Sequence, residues 1–121
     1  MWGTGFVRRE FLFVDDLAQA LFFLMQHYDE NQWINVGTGV DISIDEIANM
    51  IKEVVGYEGH LVFDVSKPDG TPRKVLNVDR LHEHGWRHST SLNDGLRKTY
   101  EWFINNQGHI RREQIFREGR G

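Results

Sequence analysis

Apolar positions fall into blocks of different period along this chain. The densest is Leu17-Ala18-Gln19-Ala20-Leu21-Phe22-Phe23-Leu24-Met25, eight apolar residues out of nine. They cover more than one face of a helix, which suits contact on several sides. Asp15 and Asp16 stand just ahead, and either can cap the first turn and complement the helix dipole. A helix is therefore predicted over about residues 15–27. Asp29-Glu30-Asn31 reads as a turn and Trp33-Ile34-Asn35-Val36 as a short strand ended by Gly37-Thr38-Gly39.

A cleaner helical period follows. Ile44, Ile47, Ala48, Ile51, Val54 and Val55 recur behind Ser43-Ile44-Asp45-Glu46, a capping box, and Gly56 supplies the stop. His60-Leu61-Val62-Phe63-Asp64 reads as a strand, Lys67-Pro68-Asp69-Gly70-Thr71-Pro72 as a rigid loop, and Val75-Leu76-Asn77-Val78 as extended. Arg80-Leu81 begins a short helical turn closed by Gly85-Trp86. Ser91 opens a last helix, with Asp94 at its third position and Leu92, Leu96, Tyr100 and Phe103 on one face. Alternation of strand and helix gives an α/β class, or α+β for the chain on its own. The first helix is too apolar for a surface helix, and the first strand has no obvious partner. The chain reads like the second half of a larger fold.

Composition narrows the function classes. The chain has 121 residues, 40% apolar and 26% charged, enough for one compact domain. Its net charge of -4 offers no basic field for nucleic acid. No apolar run approaches a membrane span, and the N-terminus has no secretory pattern. With no cysteine, disulfides, cysteine-ligated zinc and a thiol nucleophile are excluded from this chain. A cytoplasmic protein is the plain expectation. Residues 1–107 read as one region, and 108–121 as a polar, Arg-rich, flexible tail.

Four segments carry a resemblance. They are Trp2-Gly3-Thr4-Gly5 with Arg8-Arg9-Glu10-Phe11, Val14-Asp15-Asp16-Leu17-Ala18, Ile34-Asn35-Val36-Gly37-Thr38-Gly39, and Ser66-Lys67-Pro68-Asp69-Gly70-Thr71-Pro72-Arg73-Lys74. Together they resemble the extended short-chain dehydrogenase/reductases and, through the last and narrowest run, the GDP-L-fucose synthases among them. The resemblance implies a partial fold of that type: the final helix and strand of a Rossmann domain plus the small C-terminal substrate-binding subdomain. It implies a nucleotide-sugar partner such as GDP-4-keto-6-deoxymannose, GDP-L-fucose or GDP-mannose. It also implies NADP(H) for a whole enzyme that epimerises and then reduces a 4-keto sugar.

By the same resemblance, Arg9 and Lys74 contact the GDP diphosphate. The chemistry fits, since an arginine fork matches phosphate oxygens bidentately and lysine adds a point charge. Trp2 resembles an aromatic of the nucleotide pocket. Asp69 and Arg73 are further substrate-side candidates, with loop structure as their plainer role. Phe13 departs from the histidine common in the family. Gly37-Thr38-Gly39 lacks the spacing of a phosphate loop, and no G-x-G-x-x-G occurs anywhere in the chain. His82, Glu83, His84 and His88 have no zinc-like spacing. Reductases of this type pair a tyrosine with a lysine four residues later; after Tyr28, Tyr57 and Tyr100 stand Gln32, Leu61 and Ile104. The family's catalytic cysteine has no counterpart. The chain alone is thus expected to bind no coenzyme and to be inactive, with a Rossmann half supplied from elsewhere. Rival readings are a fragment of another nucleotide-sugar epimerase and a non-catalytic, self-associating interaction domain. A homodimer or higher oligomer is expected, because the first helix and strand leave apolar surface over.

Overall fold

A computed structural model describes residues 1–108. Its elements run β1 (Arg8–Glu10), α1 (Val14–His27), β2 (Asp41–Ser43), α2 (Ile44–Val55), β3 (Arg73–Lys74), α3 (Asp79–Glu83) and α4 (Leu92–Asn106). The tail expected at 108–121 lies, beyond Gly108, outside the described residues. The strands form one small sheet in the order β2-β1-β3, with β1 antiparallel to β2 and parallel to β3. No helix among the described residues is long and apolar enough to cross a membrane.

Local signals build α2 as the sequence predicts. The Ser43 hydroxyl accepts the Glu46 N–H at 3.1 Å, and the Glu46 carboxylate accepts the Ser43 N–H at 3.0 Å, so two orphan donors are satisfied. Gly56 ends the helix in the left-handed region at φ 69°. Ser91 starts α4 in the same way, accepting the Asp94 N–H at 3.1 Å. The two helices pack on each other. Within α4, Gly95 is buried, Leu92, Leu96 and Tyr100 are half-buried, and Phe103 is exposed, so the predicted apolar face is covered only along its first turns.

Three expectations are corrected. Neither Asp15 nor Asp16 caps α1; its N-cap is Phe13, with no side-chain cap. Asp16 instead turns inward, 1% exposed, and accepts bonds from the Thr90 N–H (2.9 Å), the Thr90 hydroxyl (3.0 Å) and the Ser89 hydroxyl (3.2 Å). Residues 33–36 form no strand, because a strand is a hydrogen-bonded ladder and no described strand lies beside them. Side chains hold this stretch: Arg80 donates to the Trp33 carbonyl at 2.8 Å and the Asn35 amide to the Asn77 carbonyl at 3.0 Å. Residues 60–64 contribute only a single parallel bridge, Asp64 to Trp2.

The core lies between α1 and the α3 region. Ala20, Val78, Leu81 and Trp86 are buried, and Leu12, Phe23, Leu24, Ile34 and Val36 pack against them. Burying a leucine as completely as Leu81 contributes about 1.5–3 kcal/mol. Only one side of α1 takes part. Val14, Leu17, Leu21, Phe22 and Met25 remain exposed, Met25 at 83%, and Trp33 beyond the helix stands 95% exposed. Contact on several sides, predicted from the apolar density, is not made by the described residues.

Candidate functional site

Parallel pairing of β1 with β3 sets Arg9 directly beside Lys74. Register partners of a ladder share a face, so both cations line one side of the sheet. They border a cleft of about 530 Å³ together with Glu10, Leu12, Val36, Gly37, Val75 and Leu76. The Arg9 guanidinium is already aimed, because it donates to the carbonyls of Arg8 and Thr71, each at 2.7 Å. Arg8 N–H donates to the Pro72 carbonyl at 2.8 Å, which ties the Thr71-Pro72 turn to β1 and brings Lys74 into line. Neither Arg9 nor Lys74 forms an ion pair among the described residues. The arrangement can offer one planar fork and one point charge to an anion held in the cleft.

Arg73 has other work. Side chains alternate across a sheet, so it faces away from Lys74 and donates to the Asp41 carboxylate. Arg8 reaches the same carboxylate at 3.1 Å and the Asp41 carbonyl at 3.1 Å. The Arg73 hydrogen bond, then the Arg8 one, holds the Asp41 carboxyl below its usual range despite the opposing cost of burial. This trio fastens the three strands together behind the cleft.

Asp69 is likewise an internal anchor. Its two oxygens accept the Thr4 N–H at 2.8 Å and the Thr4 hydroxyl at 2.7 Å, which also keep its carboxyl acidic. The loop comes so close that a Cβ on Gly3, at φ 81°, would overlap the Asp69 carboxylate. Trp2 stands near this loop, 77% exposed, with the Lys67 ammonium 5.8 Å from its ring centroid. Of the five residues singled out from sequence, Arg9 and Lys74 share the cleft, while Arg73 and Asp69 have intramolecular partners.

Sequence reasoning missed Glu10, which the structure ties to both walls of the cleft, and Asp16, which pins α1 to the entrance of α4. The only sequence signal for Glu10 is its place beside Arg9 in a short polar strand. The histidines near α3 do not converge: His84 contacts the Arg80 carbonyl and the Glu30 carboxylate at 2.7 and 3.2 Å. No group of three or more metal-ligating side chains occurs among the described residues.

Residues 1–37 match the NAD dependent epimerase/dehydratase family. A probable GDP-L-fucose synthase 1 of Oryza sativa subsp. japonica is 51% identical over 106 residues, covering 88% of this chain and 32% of that protein. The GDP-L-fucose synthase of Escherichia coli (strain K12) is 52% identical over 121 residues, covering 92% and 37%. Over most of its length the chain is thus similar to GDP-L-fucose synthases, and its first 37 residues match the epimerase/dehydratase family. It spans about a third of the length of these relatives. Among solved structures, a GDP-L-fucose synthetase from Naegleria fowleri bound to NADP superposes with a TM-score of 0.85 at 27% identity, covering 90% of this chain and 35% of that one. The small mixed sheet and its helices are thus part of the family's α/β fold.

Proposed function

We propose that this chain is the GDP-sugar-holding portion of an NADPH-dependent GDP-sugar epimerase/reductase, with Arg9 and Lys74 as its diphosphate contacts. The observation that carries the reading is the in-register Arg9–Lys74 pair on one cleft, the arginine oriented by two carbonyls and neither cation paired to a carboxylate among the described residues. Trp2, exposed beside that loop, offers an aromatic face to a base or sugar. Arg73 and Asp69 serve the site by fixing the strand and loop that border it. The names of the relatives support GDP-linked sugars as the substrate class.

NADP(H) does not fit the residues of this chain. Dinucleotide sites use a glycine-rich turn from a parallel strand into a helix N-terminus. Here β1 enters α1 through Phe11-Leu12-Phe13, a connection that contains no glycine. The coenzyme and the proton-transfer groups belong to a dinucleotide-binding portion, in a longer polypeptide or a second chain. That portion is the natural cover for the exposed side of α1. The 121-residue chain alone buries the same surface against a second copy.

Calorimetric titration with GDP tests the cleft. Arg9→Ala and Lys74→Ala should each weaken binding by about 1.5–3 kcal/mol, as expected for a hydrogen bond to a charged group. GDP binding that neither substitution weakens would refute the assignment. The chain alone should not oxidise NADPH with GDP-4-keto-6-deoxymannose, which a spectrophotometric assay at high protein concentration reads directly. Turnover by the purified chain would overturn the division of labour. Activity regained on adding a matching dinucleotide-binding half would support it.

A further inference from the structure

Glu10 ends β1 immediately after Arg9, and its carboxylate is occupied entirely by backbone donors. One oxygen accepts the Thr38 N–H at 2.5 Å and the Gly39 N–H at 3.2 Å; the other accepts the Leu76 N–H at 2.8 Å. Thr38 and Gly39 belong to the turn that follows Val36 and Gly37, one wall of the cleft. Leu76 lies two residues beyond Lys74 and lines the cleft from that segment, the other wall in sequence terms. A single carboxylate therefore bridges both walls. The approach is close enough that a Cβ on Gly37 would overlap the Glu10 carboxylate and would have to displace it.

This bridge matters because β3 is only two residues long. Upstream of Lys74, the chain is fixed by the bonds of Pro72 and Thr71 to β1. Downstream, the first backbone donor held from the β1 side is Leu76 N–H, and Glu10 holds it. Bonds to an ionised acceptor are roughly twice as strong as neutral ones, which suits a carboxylate to such a clamp. We infer that Glu10 is a positioning residue, acting through Lys74: by joining the 37–39 turn to the chain after β3, it holds the lysine head in register with Arg9 for an anionic ligand. The inference rests on the reading of the cleft as a GDP site and goes beyond it by naming the group that sets its geometry.

Titration of the full chain with GDP, combined in a double-mutant cycle, tests this. Glu10→Gln keeps the size but loses the charge, and should weaken GDP by about tenfold. In a Lys74→Ala background the same change should cost less than about twofold, because the residue it positions is gone. In an Arg9→Ala background the loss should persist. A merely structural Glu10 would weaken all three backgrounds alike. Should Glu10→Gln lose its helical circular dichroism, Glu10→Asp is read instead; it keeps the charge but is one methylene too short to span both walls, and the same non-additivity is expected. GDP binding unchanged by either substitution, or losses that add in full with Lys74→Ala, overturns the inference and leaves the cleft reading intact. No GDP binding by the unsubstituted chain overturns the cleft reading, and the inference with it.

Discussion

The half of the molecule built on β2, α2 and the cleft differs in kind from the half built on α1. Around α2, each local requirement is met within a few residues or by a nearby ion pair: a capping box, a left-handed glycine, and Asp41 held by Arg73 and Arg8. Around α1, the helix has no side-chain cap, and a row of large apolar residues faces outward from Val14 to Met25. One region completes itself through polar contacts within the chain, local at the caps of α2 and longer in range at Asp41. The other is completed on its inner side only, by Ala20 against Val78, Leu81 and Trp86. The apolar outer side falls within residues 1–37, the stretch that matches the epimerase/dehydratase family. The difference teaches that the cleft is assembled from residues of this chain, whereas the outer side of α1 has no cover among the described residues.

The largest effect should come from the inner side of α1. Leu81 is fully buried in the small core, so Leu81→Ala should cost about 2–5 kcal/mol from lost burial and cavity together. The equivalent truncation in the other half, Ile51→Ala, removes a side chain that is 42% exposed and should cost much less. Chemical denaturation of the two variants reads the contrast. Equal losses would show that α2 depends on a core as much as α1 does.

Asp16 gives a smaller, pH-dependent effect. Burial by itself would raise its pKa, but the hydrogen bonds from Thr90 and Ser89 outweigh that and hold it below the usual 3.8. A group whose folded pKa is depressed stabilises the fold above its unfolded pKa and loses that contribution as pH falls through the folded value. Stability should therefore fall below about pH 4. Asp16→Ala should cost about 1–3 kcal/mol at neutral pH by removing the buried acceptor that pairs the Thr90 and Ser89 donors. The difference between wild type and variant should shrink in acid. A gap constant from pH 7 to pH 2 would show that the contact, not the charge, is what matters.

Legibility followed range. Ser43, Glu46, Gly56 and Ser91 announce α2 and α4 because a cap is decided within about four residues. Arg9 and Lys74 were nameable from their motif, and the structure sets them in register across 65 positions of chain. The sheet itself was not legible: β1, β2 and β3 are two or three residues long, too short for a period to show. Strand character at Trp33–Val36 was readable as propensity, but a ladder needs a second strand that these residues do not meet. Asp16 looked like a helix cap because of its place before an apolar run. Its partners lie 73 and 74 residues away and leave no local trace. Glu10 was invisible for the same reason, since its bonds close loops of 28, 29 and 66 residues.

The smallest expected effect on folding bears most directly on how the two halves differ. Phe22 is 61% exposed on the outer side of α1, opposite the buried Ala20 face. Replacing it by glutamate removes nothing from the core and keeps good helix propensity, so the fold's own stability should change by no more than about 0.5 kcal/mol. Assembly should respond differently. An apolar patch running from Val14 through Met25 to Trp33 favours burial against a second copy, and a charge at its centre must be desolvated for that contact to form. Light scattering across a dilution series should show a dimer or larger species for the unsubstituted chain and a monomer for Phe22→Glu, with matching circular dichroism. Leu21→Glu, 52% exposed on the same helix, should act the same way. GDP binding should survive both changes, because Arg9 and Lys74 lie on β1 and β3, away from α1. An unsubstituted chain that stays monomeric at every concentration would show that water alone tolerates this surface, and would remove the ground for treating α1 as an interface.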